Sequence, residues 1–405
     1  MAKRHAHRAG DWSSVAVRLD EIISAHTGAD PFEEALTLCV ARLAFERGPG
    51  RGVRGGPRGR FVTDTRTAAA RIDALVAAAA RRWPGIAETG RRTRLSGPEL
   101  VRCAAVLDDV SLVADDLVGL DAIFEHIVTR VAKGAKGQFF TPRHVISSIV
   151  SMLAPAPGEH IVDPACGSAG FLTHALAACP TAHVHGYDLD PRAIRVARVM
   201  LHGRGTATPL DSLGTGSGVA TGGDRTAIRR YRDGAFDLVL TNPPFAGDVG
   251  DAYGAHYELA RGRRVERDVL FIERCIQLLR PGGRFAIVLP HNKVGGDAWA
   301  FVRAWLLERA QVVAVIGLGR NTFQPHTSQK ACVVIGVRRP RPVPLTAARA
   351  EDILFFLSER DGKDHRGRLV RRADGAVDHD LDEAVPLVRH AIERAGAATA
   401  IAEAS

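Results

Sequence analysis

Apolar residues recur at helical spacing through the first part of the chain. Over residues 14–45, Val15, Leu19, Ile22 and Ile23, then Leu36, Val40 and Leu43, fall at i, i+4, i+7 intervals that gather them on one helical face. Arg47 to Arg60 breaks the pattern with five Arg, six Gly and two Pro, where neither helix nor strand should persist. No aromatic residue interleaves there for base stacking, so the segment reads as a solvated loop before it reads as a basic arm. A second helix is predicted through the Ala-rich Thr67–Trp83 stretch. Ser96-Gly97-Pro98-Glu99 has capping-box spacing and opens a third helix, with Leu100, Val101, Ala104 and Leu107 on one face. A further amphipathic stretch is predicted over 116–132. Residues 1–131 therefore read as a helical domain without chemistry of its own.

The pattern then changes. Short Val- and Ile-rich runs alternate with helical stretches: His160–Asp163, Ala182–Asp188, Phe236–Leu240, Arg284–Leu289, Val312–Leu318 and Cys332–Val337 as strands, with helices at 171–178, 191–202, 268–280 and 298–309. Alternating strands and helices predict an α/β fold, a doubly wound, mostly parallel sheet whose ligand site lies at the carboxyl ends of its strands. This second domain is set at 132–345. Residues 346–405 form a short, charged tail with one helix predicted at 383–396.

Composition narrows the class. The 405 residues are 46% hydrophobic and 24% charged, an ordinary globular balance. No apolar run is long enough to span a membrane and the N-terminus has no apolar signal core, so a cytoplasmic protein without membrane attachment is expected. Six cysteines without CxxC spacing read as reduced thiols, and no metal-ligand spacing is visible. The net charge of +9 is uneven: residues 131–345 carry 26 Lys and Arg against 16 Asp and Glu. A polyanionic substrate would be drawn to that excess, although 48 Arg against 6 Lys also fits a coding bias.

Two motifs carry the chemistry. Asp163-Pro164-Ala165-Cys166-Gly167-Ser168-Ala169-Gly170-Phe171 joins a predicted strand to a predicted helix. Its small residues let backbone approach a ligand, and the helix start offers free N–H groups. Asp163, at the strand tip, suits an ammonium group. Tyr187-Asp188-Leu189 ends the next strand, where an acid accepts from ribose hydroxyls. A GxGxxG pattern is missing at the turn, so the pair describes a nucleoside with an amino-acid tail rather than a dinucleotide. Thr241-Asn242-Pro243-Pro244-Phe245 ends a later strand. Its prolines fix the backbone, leaving the Asn242 side-chain oxygen and the Pro243 carbonyl as directed acceptors beside an aromatic face. A planar group bearing an NH₂, such as adenine, fits that arrangement.

Taken in order, Gly137-Gln138-Phe139-Phe140-Thr141-Pro142, then DPACGSAGF, then NPPF, resemble the gamma-order S-adenosylmethionine-dependent adenine-N6 DNA methyltransferases, and most of all the modification subunits of type I restriction-modification systems. The likeness runs over residues 15–345 and is strongest from 137 to 290. It implies a Rossmann-like methyltransferase sheet and a site-specific adenine DNA methyltransferase. Gln138, Phe140, Thr141 and the 163–171 loop would hold the methionine part of the cofactor, and Asp188 and Leu189 its ribose side. Asp211 and Ser212 would face its adenine, and Asn242, Pro243, Pro244 and Phe245 would hold a target adenine flipped out of double-stranded DNA. The resemblance also implies a separate DNA-specificity subunit and a nuclease subunit as partners.

The sequence departs from the family in two places. About 60 residues follow position 345, too few for a target-recognition domain, and Ala169 stands where the family often has Gly. These leave open an N-methyltransferase that uses the same pocket on RNA, a protein amide or a small-molecule amine. Gly214–Gly218 imitates a phosphate loop but lacks GK[ST], and reads as a linker. Arg261-Gly262-Arg263-Arg264-Val265-Glu266-Arg267 fits a phosphate contact and a solvated loop equally well. His144 reads as packed rather than catalytic.

Overall fold

A computed structural model of the chain describes residues 12–26, 28–48, 60–87, 92–112, 123, 140–214, 231–245, 247, 253, 256–325 and 327–404. Apart from Ile123, the helix expected at 116–132 lies outside the described residues, as do Gln138, the Gly-rich linker beyond 214 and nearly all of the Arg/Gly-rich loop. The chain separates into two units, Met1–Lys136 with Arg198–Gly203, and Gly137–Ala197 with Arg204–Ser405.

The first unit contains α1 (Trp12–Ser24), α2 (Pro31–Arg47), α3 (Ala68–Arg82) and α4 (Gly97–Asp108). The periodicity over 14–45 is two helices, because Asp30 caps a new start: its carboxylate accepts from the Phe32 and Glu33 N–H groups, and Pro31 takes the first position. The capping box at α4 forms as its spacing predicts, with Glu99 accepting from the Ser96 N–H at 2.7 Å. Leu19, Ile23, Leu36, Leu43, Leu100 and Leu107 are buried. Within this core Arg42 bonds Glu46 at 2.6 Å and Asp108 at 2.5 Å, so its charge is buried with two partners.

The second unit is built on one eight-stranded sheet in the order β3-β2-β1-β4-β5-β7-β6-β8. Its strands are β1 (His160–Asp163), β2 (His183–Asp188), β3 (Gly205–Pro209), β4 (Phe236–Thr241), β5 (Leu279–Pro290), β6 (Ala310–Gly317), β7 (Ala331–Arg338) and β8 (Leu354–Leu357). The main helices are α5 (Arg143–Leu153), α6 (Gly170–Ala178), α7 (Pro191–Leu201), α8 (Arg267–Leu278), α9 (Ala300–Arg309) and α10 (Ala384–Ala404). Only β7 runs against its neighbours β5 and β6; every other pairing is parallel. Strands such as β4 and β7 are buried almost throughout, as a parallel sheet covered on both faces requires.

This is the doubly wound α/β sheet the alternation predicts, with two additions. β3 and β8 are strands that the reading of the sequence leaves out. β3, Gly205-Thr206-Ala207-Thr208-Pro209, has no large apolar residue, and β8 is the apolar run Leu354-Phe355-Phe356-Leu357 within the stretch read as a tail. The sheet order reverses between β1 and β4: β2 and β3 lie to one side, β5 to the other. A crevice opens at such a switch point outside the carboxyl ends of the strands. Asp163 ends β1 and Asn242 follows β4, so the two motifs flank it.

Candidate active site

The loop after β1 folds back onto β2. The Cys166 N–H donates to the Tyr187 carbonyl at 2.9 Å, and Gly167 N–H donates to the Asp188 carboxylate at 2.9 Å. β2 can receive this loop because Gly186 has no side chain: a Cβ there would stand 2.8 Å from the Cys166 sulfur. Ala169 sits at φ +70°, a left-handed position that an alanine adopts at a cost, and passes directly into α6. Pro164, Cys166, Ser168 and Phe171 are buried, while Ala165, Gly167 and Gly170 are half-buried. A side chain at Gly167 would meet nothing within 4 Å, so its flank is open.

Asp163 and Asp188 are the charges of this loop. Asp163 is buried, and its Oδ1 accepts from Thr241 Oγ1 at 2.7 Å and from Ala165 N–H at 3.0 Å. Burial pushes its carboxyl up to about 7 despite those two hydrogen bonds, with Asp188 adding to the rise. Asp188 is half-buried and accepts from Asp190 N–H at 2.9 Å as well as from Gly167; burial raises it too. No cation bonds either carboxylate among the described residues. A ligand carrying positive charge and hydroxyl donors would complete them.

Beyond β3, Asp211 and Ser212 close the same side. Leu210 N–H donates to the Asp188 carbonyl at 2.9 Å, which brings this turn to the end of β2. Asp211 accepts from Leu213 N–H at 3.1 Å and from the Tyr253 hydroxyl at 2.5 Å, and the hydrogen bond to Asp211 raises the Tyr253 phenol. The Ser212 hydroxyl is buried without a hydrogen-bond partner among the described residues. Leu189 stands 69% exposed at the mouth, a bare apolar side chain next to Asp188.

Across the switch point, Asn242 is half-buried. Its Nδ2 donates to Thr141 Oγ1 at 2.9 Å, whereas its Oδ1 is buried and has no partner among the described residues. Pro243 is buried and Pro244 half-buried, and Phe245 is 7% exposed. The Phe245 ring meets Phe323 edge-on, with centroids 6.2 Å apart at 72°. Phe140 is half-buried beside Thr141 in sequence. The structure thus joins the three sequence motifs by two hydrogen bonds, Thr141 to Asn242 and Thr241 to Asp163.

Tyr253 and Phe323 are contacts that the reading of the sequence did not single out. Tyr253 stands eight residues beyond Phe245, and its aromatic character was the one available cue. Phe323 lies in the loop after β6, where no spacing relates it to Phe245. His144 is packed, as expected: its Nε2 pairs with the Asp361 carbonyl at 3.0 Å and its ring stacks on His379. Among the described residues no group of three or more His, Cys, Asp or Glu is placed to hold a metal ion, and no helix is long and apolar enough to cross a membrane.

Comparison with known proteins adds three findings. The sequence pattern of the family described as N-6 DNA Methylase matches residues 114–374. The EcoEI methylase subunit of a type I restriction enzyme from Escherichia coli is 27% identical over 236 residues, which is 52% of this chain and 45% of that protein. The chain thus spans less than half the length of the curated relatives it matches first. Among solved structures, a modification subunit ascribed to a type I restriction enzyme from Vibrio vulnificus YJ016 superposes with TM-score 0.63 at 17% identity, covering 97% of this chain and 90% of that one. The type I restriction-modification methyltransferase subunit from Streptococcus thermophilus gives 0.62 at 14%, covering 94% and 93%. At these identities the structural likeness speaks for the fold, a Rossmann-like methyltransferase sheet.

Proposed function

The chain belongs to the N-6 DNA methylase family, and from that premise we propose that it transfers a methyl group from S-adenosylmethionine to the exocyclic N6 of an adenine flipped out of double-stranded DNA. It does so as the modification subunit of a type I-like restriction-modification complex, with a separate specificity subunit reading the sequence and a nuclease subunit restricting unmodified DNA. Residues 132–345 form the methyltransferase domain in this reading, behind a helical domain at 1–131 and ahead of the 346–405 segment. One observation carries it: the Asn242 carboxamide, with Nδ2 held by Thr141, presents a buried, unpartnered oxygen at the carboxyl end of β4.

The cofactor fits the residues present. Two buried or half-buried carboxylates without a cation, an open glycine flank and an exposed Leu189 suit a sulfonium nucleoside with an amino-acid tail. Thr141, Asp163 and the 164–171 loop would hold the methionine part, Asp188 and Leu189 the ribose side, and Asp211 and Ser212 the adenine. When bound, S-adenosylmethionine supplies an electrophilic methyl group.

The chain's own residues then do the following. Asn242 Oδ1 and the Pro243 carbonyl accept hydrogen bonds from the two N–H groups of the target amino group; once the nitrogen carries the methyl group, one of these protons is lost to water. An exocyclic adenine nitrogen is a weak nucleophile because its lone pair is delocalised into the ring. Two acceptors favour the pyramidal nitrogen and aim its lone pair outward. Phe245 gives the base a stacking face, and both prolines hold these acceptors without adding donors. Placement and electrostatics supply most of the acceleration, with no strong base needed. The flipped base costs a few kcal/mol of lost stacking and pairing. The reading is tested by hydrolysing DNA exposed to the protein, its neighbouring-gene partners and labelled S-adenosylmethionine. Label in N6-methyladenine supports it; label confined to RNA, protein or small amines overturns it.

A further inference from the structure

The Arg-rich turn after the Asn-Pro-Pro-Phe loop is left without a role by the site described above. Arg261, Gly262, Arg263 and Arg264 are all exposed. The turn is tied to the catalytic edge in two places. Arg267 N–H donates to the Gly247 carbonyl at 3.1 Å, two residues past Phe245. Glu266 pairs with Lys293, which stands just beyond the end of β5.

The topology brings two more cations to this edge. β6 runs in the same direction as β5, and β7 runs opposite to both. The end of β6 and the start of β7 therefore lie at the same sheet edge as the ends of β4 and β5. Arg320 follows β6, Lys330 precedes β7, and both are exposed. His291 N–H donates to the Lys330 carbonyl at 2.9 Å, which fixes Lys330 beside the end of β5. Between them the same loop carries Phe323, which packs on Phe245.

Arg261, Arg263, Arg320 and Lys330 have no carboxylate partner among the described residues. Arg263 instead lies over the Phe301 ring, 4.6 Å from its centroid, so its guanidinium is held without being neutralised. Of the nearby acids Glu266 is paired with Lys293, while Asp361 accepts from Asn321 N–H at 3.1 Å and the Thr322 hydroxyl at 3.4 Å and keeps its charge. Asp297 is an exposed acid on this side of the sheet. Among the described residues, four cations without a carboxylate partner outnumber the acids without a cation on this side, Asp297, Asp361 and Glu359 after β8, and leave the edge net positive toward a polyanion.

We propose that Arg261, Arg263, Arg320 and Lys330 form a phosphate-contacting rim that seats duplex DNA over the Asn242–Phe245 loop, on the β5–β6 side of the switch point. The inference rests on the DNA reading given above and names the surface that reading requires. Contacts of this kind position the duplex and carry no sequence information, which suits a subunit whose partner reads the sequence.

The test measures binding of a short fluorescent duplex of arbitrary sequence to the full chain between about 50 and 200 mM salt. Two rim pairs, Arg261→Gln/Arg263→Gln and Arg320→Gln/Lys330→Gln, are compared with Arg341→Gln/Arg349→Gln. The comparison pair is exposed and lies between β7 and β8, at the opposite edge of the sheet. Each rim pair should lower the slope of log affinity against log salt by about 2, so that the affinity lost across that salt range shrinks about tenfold. The opposite-edge pair should leave the slope unchanged. Rim slopes that move no more than the opposite-edge slope overturn the rim while the DNA reading stands. A wild-type chain that neither binds duplex nor labels DNA overturns both.

Discussion

Thr141 Oγ1 accepts a hydrogen bond from Asn242 Nδ2 at 2.9 Å, and this leaves the Asn242 oxygen as the free end of the amide. The two residues are 101 positions apart and belong to different motifs. An amide that can rotate presents a donor as readily as an acceptor, and a donor facing an amino group repels it. The hydrogen bond donated to Thr141 holds Asn242 with its oxygen turned toward the substrate.

Removing that bond should cost turnover. Thr141→Val should lower the single-turnover methyl-transfer rate about tenfold or more, the equivalent of one hydrogen bond lost in a closed site. Thr141→Ser, which keeps the hydroxyl, should retain most of the rate. A valine variant as fast as the serine variant would show that Asn242 is oriented by something else.

Asp163 links cofactor affinity to pH. Its carboxyl is pushed up to about 7 by burial, and only the ionised form attracts an ammonium group. Affinity for S-adenosylmethionine should therefore fall as pH drops below about 7, approaching tenfold per unit, and binding should release about half a proton at neutrality and close to one about a pH unit or more below it. The stability of the free protein moves the other way. The folded value lies above the unfolded one, so the contribution of Asp163 is fully present below about 4 and is lost as pH rises through about 7. Asp163→Asn should flatten both dependences, read by calorimetric titration and by thermal unfolding.

Lys293 tests the support behind the loop. Its side chain is 1% exposed, pairs with Glu266, lies 3.5 Å from the fully buried Asp268 and sits 3.8 Å from the centre of the Trp299 ring. Lys293→Met would leave Asp268 buried without its cation. Removal of one partner of a buried pair costs about 3–5 kcal/mol, measurable by denaturant unfolding. Burial already pushes Asp268 up to about 6, so the loss should be smaller at pH 5, where the carboxyl takes a proton, than at pH 8. An equal loss at both values would place the effect in packing alone.

Phe323 should matter through Phe245. Edge-on aromatic pairs contribute about 0.5–1.5 kcal/mol beyond their buried area. Phe323→Leu keeps an apolar side chain but removes the ring edge, and should slow methyl transfer several-fold while leaving S-adenosylmethionine affinity within about twofold. A variant with normal turnover would show that Phe245 needs no such support.

The alternation of apolar runs and helices made the sheet readable, because strands buried on both faces leave continuous apolar runs such as Leu238–Leu240 in β4 and Val333–Ile335 in β7. The site loops were readable because Asp163 to Phe171 and Asn242 to Phe245 are contiguous and chemically unusual. What the pattern concealed depends on tertiary contact. Gly205–Pro209 has no apolar run and is a strand because β2 offers it an edge. Residues 354–357 are apolar throughout, but they sit alone in a charged stretch and only their pairing with β6 makes them part of the sheet. Tyr253 and Phe323 became visible only when the fold brought them to Asp211 and Phe245. Asp30 split a single apparent helix into two, a local cap overriding a periodicity that ran through it.

The most direct measurement of the central claim places Asn242→Ala beside the wild-type protein. Both are assayed for S-adenosylmethionine binding and for transfer of labelled methyl to DNA, each with and without the proteins encoded by neighbouring genes. The account predicts unchanged cofactor affinity in the variant, label on adenine N6 with the wild-type protein, and that label lost at least about a hundredfold on replacing Asn242, whose oxygen is the directed acceptor. Label that survives Asn242→Ala, or firm cofactor binding with no DNA labelled in any combination, would contradict it.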